Sequence, residues 1–312
     1  MRKAAPMGWF LMVLICSGAF IAAAAAGFFV FIPDAKDLAG CLKTKMYGVS
    51  LCKDDPSYVR LSSISQVARN AVIVSEDAAF WDHKGIDWIE LRRSFETNIE
   101  KGRLARGGST ITQQLAKNVY LTPEKTLLRK VREAVIALRI ERLYKKELIL
   151  EKYLNVVEFD KNVYGIKAAA RHYFGVAPSE LTAAQGAWLA FLLPNPKKYA
   201  VSFHSKKMTP FAYRQMSQII DRLARFKRID TETRALALQQ ARTLFGQTAV
   251  TIDESYDESL AEELNEALSE EAIDSRRPPP ADRLESELAT ETEVAPIEQI
   301  EPSDTSATET EN

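Results

Sequence analysis

Cysteine and histidine are scarce in this chain, with three of each among 312 residues. There is no Cys-x-x-Cys and no Cys/His group at zinc-binding spacing, which excludes a structural zinc site or a dithiol redox motif of the usual pattern. No stretch alternates convincingly between apolar and polar residues, and no internal repeat is visible, so a mainly α class is indicated. Charge is absent altogether from Met7 to Ile32, a run of 26 residues. The C-terminal region has few large apolar residues, too few to offset the entropy of ordering.

These gaps divide the chain. About 20 apolar residues span a bilayer as a helix, so 7–32 reads as a transmembrane anchor. Arg2 and Lys3 precede it, which keeps residues 1–6 in the cytoplasm and sends the rest outward. A cleaved signal peptide is the rival, with small residues at Ala22–Ala26, but the run continues through Phe28, Phe29, Val30 and Phe31. From Thr251 to the end there are 20 acidic and 3 basic side chains, net −17; residues 1–250 hold 38 basic and 22 acidic, net +16. The near-neutral total of −1 thus conceals a basic body and an acidic tail. The tail, 251–312, reads as disordered, with a short helix conceivable over 257–273, and a solvated spacer is preferred to a docking tail. Residues 33–57 read as a juxtamembrane linker and 58–250 as the folded domain. Cys16 falls in the anchor. Cys41 and Cys52 fall beyond it, where either a disulfide or two free thiols would fit an oxidising space.

Within the body, helical spacing marks 64–75, 88–99, 112–120, 127–144, 146–157 and 181–193, the last very apolar and stopped by Pro194. In 127–144 the expected buried stripe is Val131, Ala134, Val135, Leu138 and Leu143.

Three segments carry chemistry-bearing residues. Glu76 and Asp77 end an apolar helix and lead into Phe80, Trp81 and His83. A carboxyl beside aromatic rings is desolvated, which raises its pKa towards a range useful for proton transfer; a solvated acid pair at a helix end is the alternative. In Gly107–Asn118, two glycines precede Ser109 and Thr110, either able to cap a helix, and helix N-termini receive phosphates and sugars. Gln113 and Gln114 add little to a core. Arg129, Lys130 and Glu133 lie i,i+4 and i,i+3 on one helix, followed by Arg139, Glu141 and Arg142; they form either surface ion pairs of little worth or a cationic face for a diphosphate.

Together these segments resemble the peptidoglycan glycosyltransferase domain of class A penicillin-binding proteins and of monofunctional biosynthetic glycosyltransferases. The family's Glu-Asp-x-x-Phe-x-x-His-x-Gly is met by Glu76, Asp77, Phe80, His83 and Gly85. Its Gly-x-Ser-Thr-Ile-Thr-Gln-Gln is met by Gly107 to Gln114, with Lys117 and Asn118 following. Its Arg-Lys-x-x-Glu is met by Arg129, Lys130 and Glu133. Ile149–Asn155, Tyr164-Gly165-Ile166, Ala168–Ala170 and Tyr173-Phe174-Gly175 also fit, so the likeness covers about 58–228. Asp160 and Gln185 depart from it, standing where the family has Gly and commonly Glu.

The resemblance implies a mainly α, lysozyme-like domain that polymerises lipid II into β-1,4-linked glycan and releases undecaprenyl diphosphate. It implies Glu76 as general base and Glu133 as its partner on the donor side. Asp77, Phe80, His83, Ser109, Thr110, Gln113, Gln114, Lys117, Asn118, Arg129 and Lys130 are the expected substrate-binding set. No metal ligands are expected and no cofactor is required, though a divalent ion at the diphosphate is compatible with the scheme. The expected partners are the lipid-linked glycan, the membrane and cell-wall assembly proteins, not nucleic acid. The expected location is the inner membrane, single-pass, with the catalytic domain periplasmic. A lytic transglycosylase would not need the cationic helix, an inactive scaffold would be expected to lose Glu76 or Glu133, and Ser50-x-x-Lys53 lacks the partners of a transpeptidase site.

Overall fold

The computed structural model describes residues 32–100, 108–124 and 126–246, with 11–12, 15–19 and 27 as short pieces before them. Most of the expected anchor, the stretch 101–107 with Leu104 and Gly107, and the acidic tail with its 257–273 helix lie outside the described residues. Among the described residues no helix is long and apolar enough to cross a membrane.

The architecture is mainly helical. In chain order the helices are α1 (Gln66–Glu76), α2 (Trp88–Glu100), α3 (Ile111–Tyr120), α4 (Leu127–Leu143) and α5 (Lys146–Val156), then α6 (Ile166–Phe174), α7 (Ala183–Leu192), α8 (Pro196–Tyr199), α9 (Val201–His204), α10 (Pro210–Arg225) and α11 (Thr231–Thr243). Threonine hydroxyls start four of them: Thr110, Thr126, Thr182 and Thr209 accept from the amides of Gln113, Arg129, Gln185 and Ala212. Between α5 and α6 a small antiparallel hairpin, β1 (Glu158–Asp160) with β2 (Val163–Tyr164), departs from the expectation of no strands. Its strands are three and two residues long, and all of β1 is buried, so no alternation was there to be read.

Helix α7 is the centre. It is apolar all round and buried from Ala183 to Leu192 except at Gln185, as a helix enclosed by others must be. It packs on α1, α10 and α11, while α3 packs on α4 and α5. Gly186 permits the closest of these approaches: a Cβ there would stand 2.8 Å from the Cα of Ala68 on α1.

Helix α4 corrects its expected stripe. Val131 and Leu143 are exposed, and the buried residues are Glu133, Ile136, Ala137 and Ile140, the spacing i, i+3, i+4, i+7. A charged residue starts the inward face, so a reading that seeks only apolar residues settles on the wrong phase.

Residues 33–57, expected as a linker, are fastened to the helical body together with Ile32 before them. Ile32, Ala35, Leu38 and Leu51 are buried. Arg139 of α4 donates to the carbonyls of Ile32 and Pro33 at 2.6 and 2.9 Å, Tyr144 to that of Lys36 at 2.7 Å, and Tyr120 of α3 to Asp37 Oδ1 at 2.7 Å. Cys41 and Cys52 are disulfide-bonded, and Lys43 bridges Ser50 inside the loop they close. From α5, the fully buried Lys152 donates to the carbonyls of Gly40 and Leu51 at 3.3 and 3.0 Å. Asn155 holds both backbone groups of Val59, and Glu151 accepts from Tyr58 and from the amide of Leu61. The polar residues of Glu151–Asn155 are thus structural ties.

Candidate active site

The C-terminus of α1 meets α3 and α5 around Glu76. Glu76 is the last residue of α1, and Asp77 leaves the helix with an extended backbone, φ −162°. The two carboxyls therefore turn to different surroundings. Asp77 is buried and saturated: the amide of Ile111 donates to it at 2.9 Å, and His83 Nε2 lies 2.9–3.0 Å from both its oxygens. Gly85 N donates to His83 Nδ1 at 3.1 Å, so Nδ1 carries no proton and Nε2–H is the donor to Asp77. Gly85 itself needs its φ of +94°, and a Cβ there would press on the Ala137 carbonyl at 3.1 Å.

Thr110 closes the frame. Its hydroxyl donates to the Gly85 carbonyl at 2.7 Å and accepts from Gln113 N at 3.1 Å, while the Gln113 side chain accepts from Thr110 N at 3.0 Å. This is a complete capping box, buried at both residues. Phe80 is wholly buried between Trp81, His83 and the ammonium of Lys146, which sits 4.5 Å from its ring centre. Of the expected substrate-binding residues, then, Asp77, Phe80, His83, Thr110 and Gln113 spend their side chains on each other and on the protein.

Glu76 is different. Gln114 Nε2 donates to its Oε2 at 2.8 Å. Its surface is partly open, but the surrounding atoms are dense, and this burial raises its pKa to about 7. The Gln114 bond and the charge of Lys117 oppose the rise, and Asp77 adds to it. A carboxyl poised near neutrality is what proton transfer requires. Behind Gln114, the phenol of Tyr153 on α5 donates to its Oε1 at 3.0 Å. Tyr153 lies in the fourth matching stretch, where sequence reasoning gave it no role. No local signal marks it, because its partner Gln114 lies 39 residues upstream.

The cationic group is assembled from α3 and α4. Glu133 is buried and accepts from Lys130 Nζ and, at 3.4 Å, from Arg129 Nη1. Lys130 also donates to Ser109 Oγ at 2.7 Å, tying α4 to the approach of α3. Lys117 is half-buried. Desolvation lowers its pKa, Glu133 resists that, Arg129 and Lys130 add to it, and Glu76 resists it again. Lys117 therefore lies within electrostatic reach of both glutamates. Asn118 is buried beyond it with no hydrogen-bond partner at Oδ1. Among the described residues no group of three or more His, Cys, Asp or Glu is placed to hold a metal ion.

The arrangement joins a basic carboxylate to a partly desolvated patch of positive charge, suited to deprotonating a neutral nucleophile while stabilising an anionic leaving group. A family model of transglycosylases matches residues 45–224. The chain belongs to the transglycosylase family. Among its relatives, the biosynthetic peptidoglycan transglycosylase of Azoarcus sp. (strain BH72) is 49% identical over 147 residues, 47% of this chain and 64% of that protein. The protein of the same name from Aromatoleum aromaticum is 49% identical over 146 residues, with the same coverage of 47% and 64%. That of Nitrosospira multiformis is 41% identical over 167 residues, 54% of this chain and 71% of its own length. The chain thus spans just under two thirds of the first two relatives. Penicillin-binding protein 1A from Haemophilus influenzae overlaps 74% of this chain and 26% of its own at a TM-score of 0.33 and 16% identity, too distant to bear on the site.

Both departures from the family pattern have local explanations. Gln185 is the third residue of α7 and completes a capping box with Thr182, a task that Gln and Glu perform equally. Asp160 is buried at the end of β1, with His204 Nε2 at 2.9 Å and His172 Nε2 at 3.5 Å from its Oδ2. Neither contacts Glu76 or Glu133 by hydrogen bond or ion pair.

Proposed function

We propose that this transglycosylase-family chain is a peptidoglycan glycosyltransferase that polymerises lipid II into β-1,4-linked glycan strands. The observation that carries the reading is the pairing of Glu76, raised to about 7, with the Lys117, Arg129, Lys130 and Glu133 cluster within electrostatic reach. Glu76 takes the proton from the 4-hydroxyl of the acceptor GlcNAc. That oxygen forms the new bond to C1 of the donor MurNAc. The C1–O bond to the diphosphate breaks with its electron pair, and the anomeric centre inverts from α to β. Lys117, Arg129 and Lys130 neutralise the charge that builds on the departing undecaprenyl diphosphate, usually the largest contribution to such catalysis. Glu133 holds Arg129 and Lys130 in place on the donor side. Ser109 and Gln114, both partly open, face sugar and phosphate oxygens. The scheme requires no cofactor, and a divalent ion at the diphosphate is compatible with it.

The membrane belongs to the same reading. Residues 7–32 would anchor the chain in the inner membrane, with the catalytic body on the periplasmic side. On α2, Trp88, Phe95 and Ile99 are 66, 66 and 64% exposed along one face with Leu91, an apolar surface of the kind that enters a bilayer. Replacing Trp88 and Phe95 by Ser should impair use of full-length lipid II more than of a short-tailed analogue.

The deciding experiment is glycan polymerisation from purified lipid II in detergent or bilayers, wild type against Glu76→Gln. Polymer from the first and none from the second supports the reading. Fragments released from preformed peptidoglycan, with no polymer, would replace it with a lytic transglycosylase. Neither activity would point to a scaffold.

A further inference from the structure

We propose that Tyr153 is a positioning residue for Glu76, acting through the carboxamide of Gln114. The inference rests on the glycosyltransferase reading for what Glu76 does, and on geometry for how it is held. A carboxamide beside a carboxylate has two orientations. One presents N–H and favours the anion; the other presents C=O and disfavours it. Nothing in Gln114 itself selects between them, and its side chain is partly open to solvent. Tyr153 selects. Its ring is wholly buried, and burial with the nearby Glu76 and Asp77 charges pushes its hydroxyl well above the ordinary value. It therefore stays a protonated donor throughout the working range. Donating to Gln114 Oε1 at 3.0 Å, it commits that oxygen and leaves Nε2 to face Glu76 Oε2 at 2.8 Å.

The neighbours on α5 show that this is a separate task. Glu151, Lys152 and Asn155 all hold the segment between Gly40 and Leu61, whereas the Tyr153 hydroxyl reaches Gln114 on α3. The groups acting on Glu76 are Asp77 beside it, Lys117 and Gln114 from α3, and burial by the surrounding atoms. Tyr153 controls Gln114, whose bond favours the charged form against burial and Asp77.

The test is the pH dependence of Glu76 in the full-length, membrane-embedded chain. Tyr153→Phe removes one oxygen from a site that keeps its ring. The acidic limb of kcat/KM for lipid II polymerisation should move up by roughly half to one pH unit, a loss of about three- to ten-fold below the limb that disappears above it. KM should change little. Gln114→Met should move the limb at least as far, and adding Tyr153→Phe to it should move it no further, since the phenol then has nothing to orient. A substrate-free readout accompanies the kinetics: carbon-13 carboxyl NMR titration of Glu76, assigned by its disappearance in Glu76→Gln, should shift upward by the same interval. That titration reports the positioning even if the wild type makes no polymer, so failure of the glycosyltransferase reading and failure of this one are distinguishable. Should Tyr153→Phe fail to fold, 3,5-difluorotyrosine at 153, a stronger donor of nearly equal size, should shift the titration downward. An unmoved titration, a rate loss equal at all pH values, or additive shifts in the double variant would overturn the proposal.

Discussion

Replacing Glu76 by Gln should stabilise the protein above neutral pH and leave its stability unchanged below about pH 4. The carboxyl is ordinary, near 4.5, in the unfolded chain and near 7 in the folded one, with burial as the main cause. Between those values the folded chain holds a proton that the unfolded chain has released. Stability therefore falls as pH rises, with the favourable contribution complete below about 4.5 and lost on passing about 7. At about 1.4 kcal/mol per pH unit the full interval corresponds to about 3 kcal/mol, and the partial exposure of the side chain reduces this to about 2 kcal/mol. Glutamine is never charged and so escapes the penalty, while its oxygen still accepts from Gln114. For a folded body of this size the difference is a gain of about 4–8 °C in Tm at pH 8.5. Thermal unfolding followed by tryptophan fluorescence, for both proteins from about pH 4 to about 8.5, measures it directly. A Tm difference that does not grow with pH, or a variant less stable than wild type at pH 8.5, would refute the assignment of Glu76 as a desolvated base.

The remaining predictions concern the frame and the cationic group. Thr110→Val should cost about 2–4 kcal/mol in denaturant unfolding, because it removes the cap of α3 and leaves the Gly85 carbonyl without its buried donor. Glu133→Gln should lower polymerisation by about two orders of magnitude. It should also push the already lowered Lys117 pKa further down, since Glu133 is the foremost charge resisting that shift, so the alkaline limb of the rate profile should move to lower pH. Gly186→Val should destabilise by about 1–3 kcal/mol, seen as a lower Tm, because its Cβ would meet Ala68 Cα at 2.8 Å.

The helices were legible because their signals are local. Apolar spacing places α1, α3, α5 and α7 within a few residues of where the structure has them. The motif residues around Glu76 and Glu133 were legible through resemblance, as a set. Their division into frame and reaction surface was not. Nothing in Glu-Asp-x-x-Phe-x-x-His indicates that Asp77 ties the start of α3, or that the Thr110 hydroxyl closes on the Gly85 carbonyl; both depend on segments 25 to 34 residues apart meeting in space. The phase of α4 was lost because Glu133 faces inward. The fastening of 32–57 was lost because its partners, Arg139, Lys152 and Asn155, lie about 100 residues downstream.

The adjacent acids Glu76 and Asp77 show how one dipeptide supplies both parts of such a site. The helix ends between them, so their side chains diverge. Asp77 receives a backbone amide and an imidazole N–H, which stabilise its charge in burial and lock the first motif to α3. Glu76 receives a single amide N–H and remains partly open. Were the helix to continue through Asp77, that carboxylate would leave the Ile111 amide and His83 without their acceptor, and α3 would lose the tie that brings Gln114 and Lys117 to Glu76. The reactive acid therefore depends on the saturated one. Asp77→Asn, which still accepts from Ile111 but forfeits the charge facing His83, should loosen that tie and lower the rate without moving the proton-transfer role away from Glu76: the residual activity should keep the acidic limb of a single carboxyl, and Glu76→Gln should still abolish it.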